Sequence, residues 1–162
     1  MIIKNKELMS KVLKLRLKNK KVVFTNGCFD ILHLGHKTYL NQSKALGDFL
    51  IVAINSDESV KLLKGDDRPI NNQELRSKNL MNLECVDEVV VFSDETPLKL
   101  IESLLPDVLT KGGDYNYKNI VGSNIVEKNG GKVVLLPYLK GYSTTTIISN
   151  RRKGLTGETS IG

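Results

Sequence analysis

Apolar residues recur along this chain in two rhythms that take turns. Residues 4–17 carry Leu8, Val12 and Leu15 at helical spacing on an otherwise lysine-rich segment. Residues 21–25 follow as a short apolar run, the pattern of a buried strand. Helical spacing returns over 34–46, with Gly47 placed to cap the C-terminus. The run Phe-Leu-Ile-Val-Ala-Ile at 49–54 is the clearest strand, being too short for a helix. Residues 56–63 predict a short helix. Asn71 followed by Glu74 has the form of a capping box and predicts a helix to about residue 83. A third strand is predicted over 87–92. Thr96 and Pro97 supply a cap and a first-turn proline for a helix that Pro106 ends. Residues 108–110 read as a fourth strand, 117–129 as a helix closed by Gly130 and Gly131, and 132–136 as a fifth strand. Ser143 or Thr144 can cap a last helix reaching residue 151.

Strands separated by helices imply parallel pairing and crossover connections. The expected fold class is therefore α/β: a single domain over residues 1–153, built on a five-stranded parallel sheet with helices on both faces. Residues 154–162 have little core-forming content and read as a mobile tail. Ligands of such sheets bind beyond the C-terminal strand ends, near the reversal of strand order. Polar and glycine-rich residues should then follow the strands, and they do at 26–36, 55–57, 111–114 and 141–146.

Composition narrows the function. A chain of 162 residues with 40% hydrophobic content fits one globular domain. No apolar run is long enough to span a membrane. Residues 1–16 alternate lysine with single aliphatics and lack the apolar block of a signal peptide, so a cytoplasmic protein is expected. The net charge is +6, from 24 Lys and Arg against 18 Asp and Glu. The excess is scattered, apart from short runs at 18–21 and 151–153. That favours phosphorylated metabolites as partners over nucleic acid or a membrane surface. Cys28 and Cys85 make neither a disulfide framework nor a zinc set, and no metal site is expected.

The segment Thr25-Asn26-Gly27-Cys28-Phe29-Asp30-Ile31-Leu32-His33-Leu34-Gly35-His36 carries the densest chemistry. A strand runs into a glycine turn and then into a helix start. Gly27 lets backbone approach a ligand, and the helix N-terminus offers free amides to an anion. His33 and His36 are the chain's only histidines, and their spacing lets them share one face.

This segment resembles the His-x-Gly-His signature of the nucleotidyltransferase superfamily. The resemblance continues through Asn55-Ser56-Asp57, the lysine segment 60–65, Arg68-Pro69-Ile70, Pro106-Asp107-Val108-Leu109, Lys111-Gly112-Gly113-Asp114-Tyr115 and Gly141-Tyr142-Ser143-Thr144-Thr145. In that order these motifs resemble the heptose 1-phosphate adenylyltransferase family of ADP-heptose synthesis. The resemblance implies a Rossmann-like fold, ATP with Mg2+ held mainly by its phosphates, and a sugar 1-phosphate as acceptor. A homodimer is also expected. The alternatives are a glycerol-3-phosphate cytidylyltransferase-like enzyme using CTP and a non-catalytic nucleotide-binding module.

The resemblance also implies site roles. His33, His36 and Lys64 are expected to be catalytic. Gly27, Cys28, Phe29, Lys111, Gly112, Gly113, Asp114, Ser143, Thr144 and Thr145 are expected to hold the nucleotide. Lys61 and Arg76 are expected on the sugar phosphate. Asp30 is expected either there or holding its own loop. Tyr138 stands where related cytidylyltransferases carry an arginine, and Lys140 is the nearby candidate to replace that cation.

Overall fold

The computed structural model describes residues 2–113 and 119–137. The elements are α1 (Asn5–Leu17), β1 (Val22–Gly27), α2 (Leu34–Lys44), β2 (Phe49–Asn55), α3 (Asp57–Lys64), α4 (Gln73–Met81), β3 (Glu88–Phe92), α5 (Leu98–Leu104), β4 (Val108–Gly112), α6 (Ser123–Lys128) and β5 (Lys132–Leu136). The strands form one sheet of order β3-β2-β1-β4-β5, and every adjacent pair is parallel. The chain therefore winds outward in one direction through β1, β2 and β3, then returns to the far side of β1 for β4. This reversal puts the switch point at the C-terminal ends of β1 and β4, where a parallel α/β sheet opens a crevice.

Alternation along the strands divides the core into two layers. Val22, Phe24, Ile51 and Ala53 face α1, α5 and α6, joining Leu8, Val12, Ile101, Leu104 and Val126. Val23, Leu50, Val52 and Ile54 face the other way, with Tyr39 and Leu40 of α2 and Leu80 of α4. Successive side chains of a strand point to opposite faces, so an uninterrupted apolar run such as 49–54 serves both layers.

Three local expectations change. Gly47 does not cap α2, which ends at Lys44 with Ala45 as its C-cap. Its role is close approach: a Cβ there would lie 2.7 Å from the Val23 side chain and 3.0 Å from the Lys21 carbonyl. Asn72, not Asn71, caps α4 by accepting from the Leu75 amide. Asn71 is engaged elsewhere, as described below. The helix expected over 117–129 is shorter: α6 spans Ser123–Lys128 and begins after Gly122, whose φ of +83° interrupts helical geometry. The predicted last helix lies outside the described residues.

Candidate active site

β1 ends at Gly27, and the chain turns through Cys28 to Asp30 before α2 begins. The turn is tight enough to place Phe29 at φ +48°. A Cβ on Gly27 would lie 2.9 Å from the Phe29 ring, so glycine gives that ring its space. Phe29 is buried, and its ring meets His36 edge-on at 5.2 Å between centroids. Its ring therefore packs inward as a support for His36. Only its backbone is suited to the expected nucleotide contact.

His33 is the N-cap of α2, its Nδ1 accepting the His36 amide N–H at 3.3 Å. An Nδ1 that accepts leaves the proton of the neutral ring on Nε2. The two imidazoles stack with centroids 3.8 Å apart and planes 21° from parallel. Both rings are buried. Burial holds the His33 pKa down at about 4. Burial, His33 and Lys64 together hold His36 at about 3, against a backbone hydrogen bond at Ile31 that works the other way. At neutral pH the pair is uncharged, and each ring carries one N–H donor.

A buried hydroxyl network fixes α2 beneath these rings. Tyr39 Oη lies 2.6 Å from Thr25 Oγ1 on β1 and 3.1 Å from Thr110 Oγ1 on β4. Ser43 Oγ is 2.9 Å from Thr110 Oγ1, and Thr25 donates to the Thr110 carbonyl. Tyr39→Phe strips two buried hydroxyls of a partner and should cost about 1–3 kcal/mol in urea unfolding. An unchanged midpoint would show that the network is not what holds α2.

The cations gather on the same edge. Lys111, on β4, reaches across to β1 and donates to the Asn26 carbonyl at 3.3 Å. Burial lowers its pKa to about 8, with nearby Cys28 favouring the charge and Lys64 opposing it. Lys64, half-buried at the end of α3, thus lies close enough to bias both His36 and Lys111. Cys28 is half-buried, with Sγ donating to Asn55 Oδ1 at 3.5 Å. Gly112 closes β4, and Gly113 follows at φ +77° with its amide on the Leu136 carbonyl. Lys61 is exposed one turn before Lys64. Asp114, Tyr138, Lys140, Ser143, Thr144 and Thr145 lie outside the described residues. Among the described residues no three His, Cys, Asp or Glu side chains converge as metal ligands.

Two residues expected on the sugar phosphate are occupied inside the protein. Arg76 is fully buried. Its Nε donates to the Asn71 carbonyl at 3.0 Å, Nη1 to the Cys28 carbonyl at 2.9 Å, and Nη2 to Asp57 Oδ1 at 2.8 Å. It is a strut joining the loops after β1 and β2 to the segment before α4. Asp30 is 1% exposed. Its Oδ2 accepts from Arg68 Nε at 3.2 Å and the Ile70 amide at 2.8 Å, and its Oδ1 from the Asn71 amide at 2.8 Å. Asn71 Nδ2 returns a bond to the Asp30 carbonyl, which explains why Asn71 is not the cap of α4. Of the two tasks open to Asp30, loop-holding is the one that this geometry displays. The sequence places Asp57 in a strand-end segment without a role of its own and offers Asn71 only as a helix cap. The polar cluster Asp-Arg-Pro-Ile-Asn-Asn at 67–72 was the signal that this loop needed an internal partner.

The histidine pair also sets an acid limit. Each ring holds a proton less tightly folded than unfolded, where its pKa is about 6.5. The unfolded chain therefore binds more protons below that value. The stability is whole above pH 6.5 and is lost as the pH falls through about 4 for His33 and about 3 for His36, by at most about 2.7 kcal/mol per pH unit while both rings contribute. Urea midpoints between pH 7 and 4.5 should fall steeply in the native chain and less steeply after His33→Asn with His36→Asn. Parallel curves would contradict the depressed pKa values.

The family described as cytidylyltransferase-like matches residues 24–150, from within β1 to beyond the Ser143-Thr144-Thr145 motif. The chain belongs to that family. Its relatives include the bifunctional protein HldE of Geotalea uraniireducens, 48% identical over 153 residues, covering 94% of this chain and 31% of that protein. The bifunctional protein HldE of Nitratiruptor sp. is 55% identical over 146 residues, covering 90% and 30%. The chain thus spans about a third of the length of these relatives. Among solved structures, the lipopolysaccharide core biosynthesis protein from Thermoplasma volcanium is 31% identical with a TM-score of 0.60, covering 74% of this chain and 97% of that one. A pantoate-beta-alanine ligase from Francisella tularensis, at 18% identity and a TM-score of 0.61 over 96% of this chain and 78% of that one, shares the fold. The parallel Rossmann-like sheet and the family together make this chain an enzyme of nucleotidyltransferase type.

Proposed function

We propose that this chain transfers AMP from ATP to D-glycero-β-D-manno-heptose 1-phosphate, giving ADP-heptose and pyrophosphate. The observation that carries the reading is the stacked, neutral pair His33 and His36 at the N-terminus of α2, with Lys64 and Lys111 beside it. An oxygen of the sugar phosphate attacks the α-phosphorus in line. The bond from that phosphorus to the bridging oxygen breaks, and pyrophosphate leaves with the electron pair. The attacking oxygen is already an anion, so no base is required. What the step needs is positioning and hydrogen-bond donors aimed at oxygens that gain charge. The Nε2–H of neutral His33, held in place by the stacked His36 ring, and two lysines supply them. Magnesium enters with ATP, held by the phosphates as hard oxygen ligands.

The acceptor is supported by the run of motifs from Asn55 to Thr145 and by relatives named for lipopolysaccharide core biosynthesis and as HldE. The long HldE relatives are bifunctional by name, and this chain corresponds to one part of them. No described helix is long and apolar enough to cross a membrane. The reading places the enzyme in the cytoplasm, where ATP is, and as a homodimer that sedimentation would test.

The test is a panel pairing ATP or CTP with heptose 1-phosphate or glycerol 3-phosphate, followed by pyrophosphate release. ATP with the heptose is expected to dominate. Turnover of CTP with glycerol 3-phosphate in its place would favour the cytidylyltransferase alternative.

A further inference from the structure

A cavity of about 160 Å³ opens beside the switch point, bounded by Asn26 at the end of β1, Lys111 of β4, Glu95 to Pro97 before α5, and Asn119 before α6. A larger cavity of about 220 Å³ lies between α1 and α5 and touches none of the site residues. The smaller one shares Lys111 with the phosphate site. Because Lys111 bonds the Asn26 carbonyl, its side chain forms the inner wall. Asn26 directly precedes Gly27 and the turn that leads to His33, so Lys111 stands where the cavity borders that turn.

We propose that this cavity holds the sugar ring of the acceptor, a single polyhydroxylated monosaccharide whose phosphate reaches past Lys111 toward His33 and His36. The inference rests on transfer to a sugar phosphate as proposed above. Three features select that occupant. The cavity is small beside the roughly 300–1,000 Å³ of sites for drug-sized ligands, so it suits one ring rather than a base with its ribose. Its rim mixes acceptor and donor groups, a carboxylate at Glu95, a hydroxyl at Thr96 and amides at Asn26 and Asn119, as vicinal hydroxyls require. Pro97 is buried and offers an apolar surface to the C–H face of a ring. Glu95 also repels phosphate, which turns the anionic end of the ligand inward to the lysines.

Glu95→Gln and Thr96→Val keep size and remove an acceptor or a hydroxyl. Each should raise KM for heptose 1-phosphate about tenfold or more, because a site built for hydroxyls loses a paired group. KM for ATP should stay within about twofold, since no group that touches the nucleotide changes. A rise in KM for ATP alone, or no change in either, overturns the cavity assignment. Titrations of the native chain with ATP and with heptose 1-phosphate, separately, read the Asn119 side-chain amide and Ile120 methyl resonances. Shifts with the sugar phosphate and none with ATP are expected. Shifts with ATP only, or with neither, overturn the assignment without reference to turnover. If another sugar phosphate proves to be the acceptor, the heptose reading fails and the same KM split with that acceptor still decides the cavity.

Discussion

Replacing His33 and His36 together by asparagine should lower kcat for pyrophosphate release by about three orders of magnitude or more. One preorganised donor on a developing oxyanion is worth about 10²–10³ in rate. Two rings stacked 3.8 Å apart act as a unit, so the double loss should not simply multiply the single ones. Asparagine is a fair replacement for the fold. It is a good N-cap, so Asn at position 33 can still accept the amide that His33 Nδ1 accepts now. The rate should fall while thermal unfolding at pH 7 stays cooperative. A double variant that retains kcat within about tenfold would remove the histidines from the chemistry.

Asp30→Asn should have the largest effect on stability, about 3–5 kcal/mol. The Asp30 carboxylate is buried and accepts three hydrogen bonds, one of them from the buried Arg68. An amide presents an N–H to one of those donors and leaves the guanidinium without its counter-charge. Arg68 Nη2 already has no hydrogen-bond partner among the described residues, so little else there can absorb the loss. Denaturant unfolding measures this directly. If Asp30 served the sugar phosphate instead, the same variant would raise KM for the acceptor and leave the unfolding midpoint in place.

The histidine pair and Asp30 differ in how much of their role the sequence displays. His33 and His36 stand out in the sequence as candidates because both histidines fall in one glycine-punctuated turn after the first strand, and strand-end turns are where such sheets bind ligands. The roles of Asp30 and Arg76 do not stand out. A charge neutralised inside a protein has the same letter as one in solvent, and the partners stand far away in sequence. Asp30 meets Arg68, and Arg76 meets Cys28 and Asp57, across gaps that only the folded loops close. The resemblance implies a phosphate contact for Arg76, while in the fold its guanidinium is buried and braces Asn71, Cys28 and Asp57.

The fold was easier to read than the site. Both core layers follow from short apolar runs alternating with helical stripes, and the five strands appear where those runs occur. Boundaries failed where a polar residue had two possible partners. Asn71 and Asn72 are equally good caps in isolation, and Asp30 takes the first. Gly47 and Gly122 show the same ambiguity for glycine, one needed for close approach to β1 and the other for its positive φ.

In the proposed step the sugar phosphate attacks the α-phosphorus of ATP at the histidine pair. Heptose 1-phosphate carrying ¹⁸O in its non-bridging phosphate oxygens tests it, with the products read by ³¹P NMR. In-line attack by the sugar phosphate gives ADP-heptose with ¹⁸O in the bridge between its two phosphorus atoms, and released pyrophosphate free of label. Label in the pyrophosphate, or ATP consumed without any ADP-heptose formed, would contradict it.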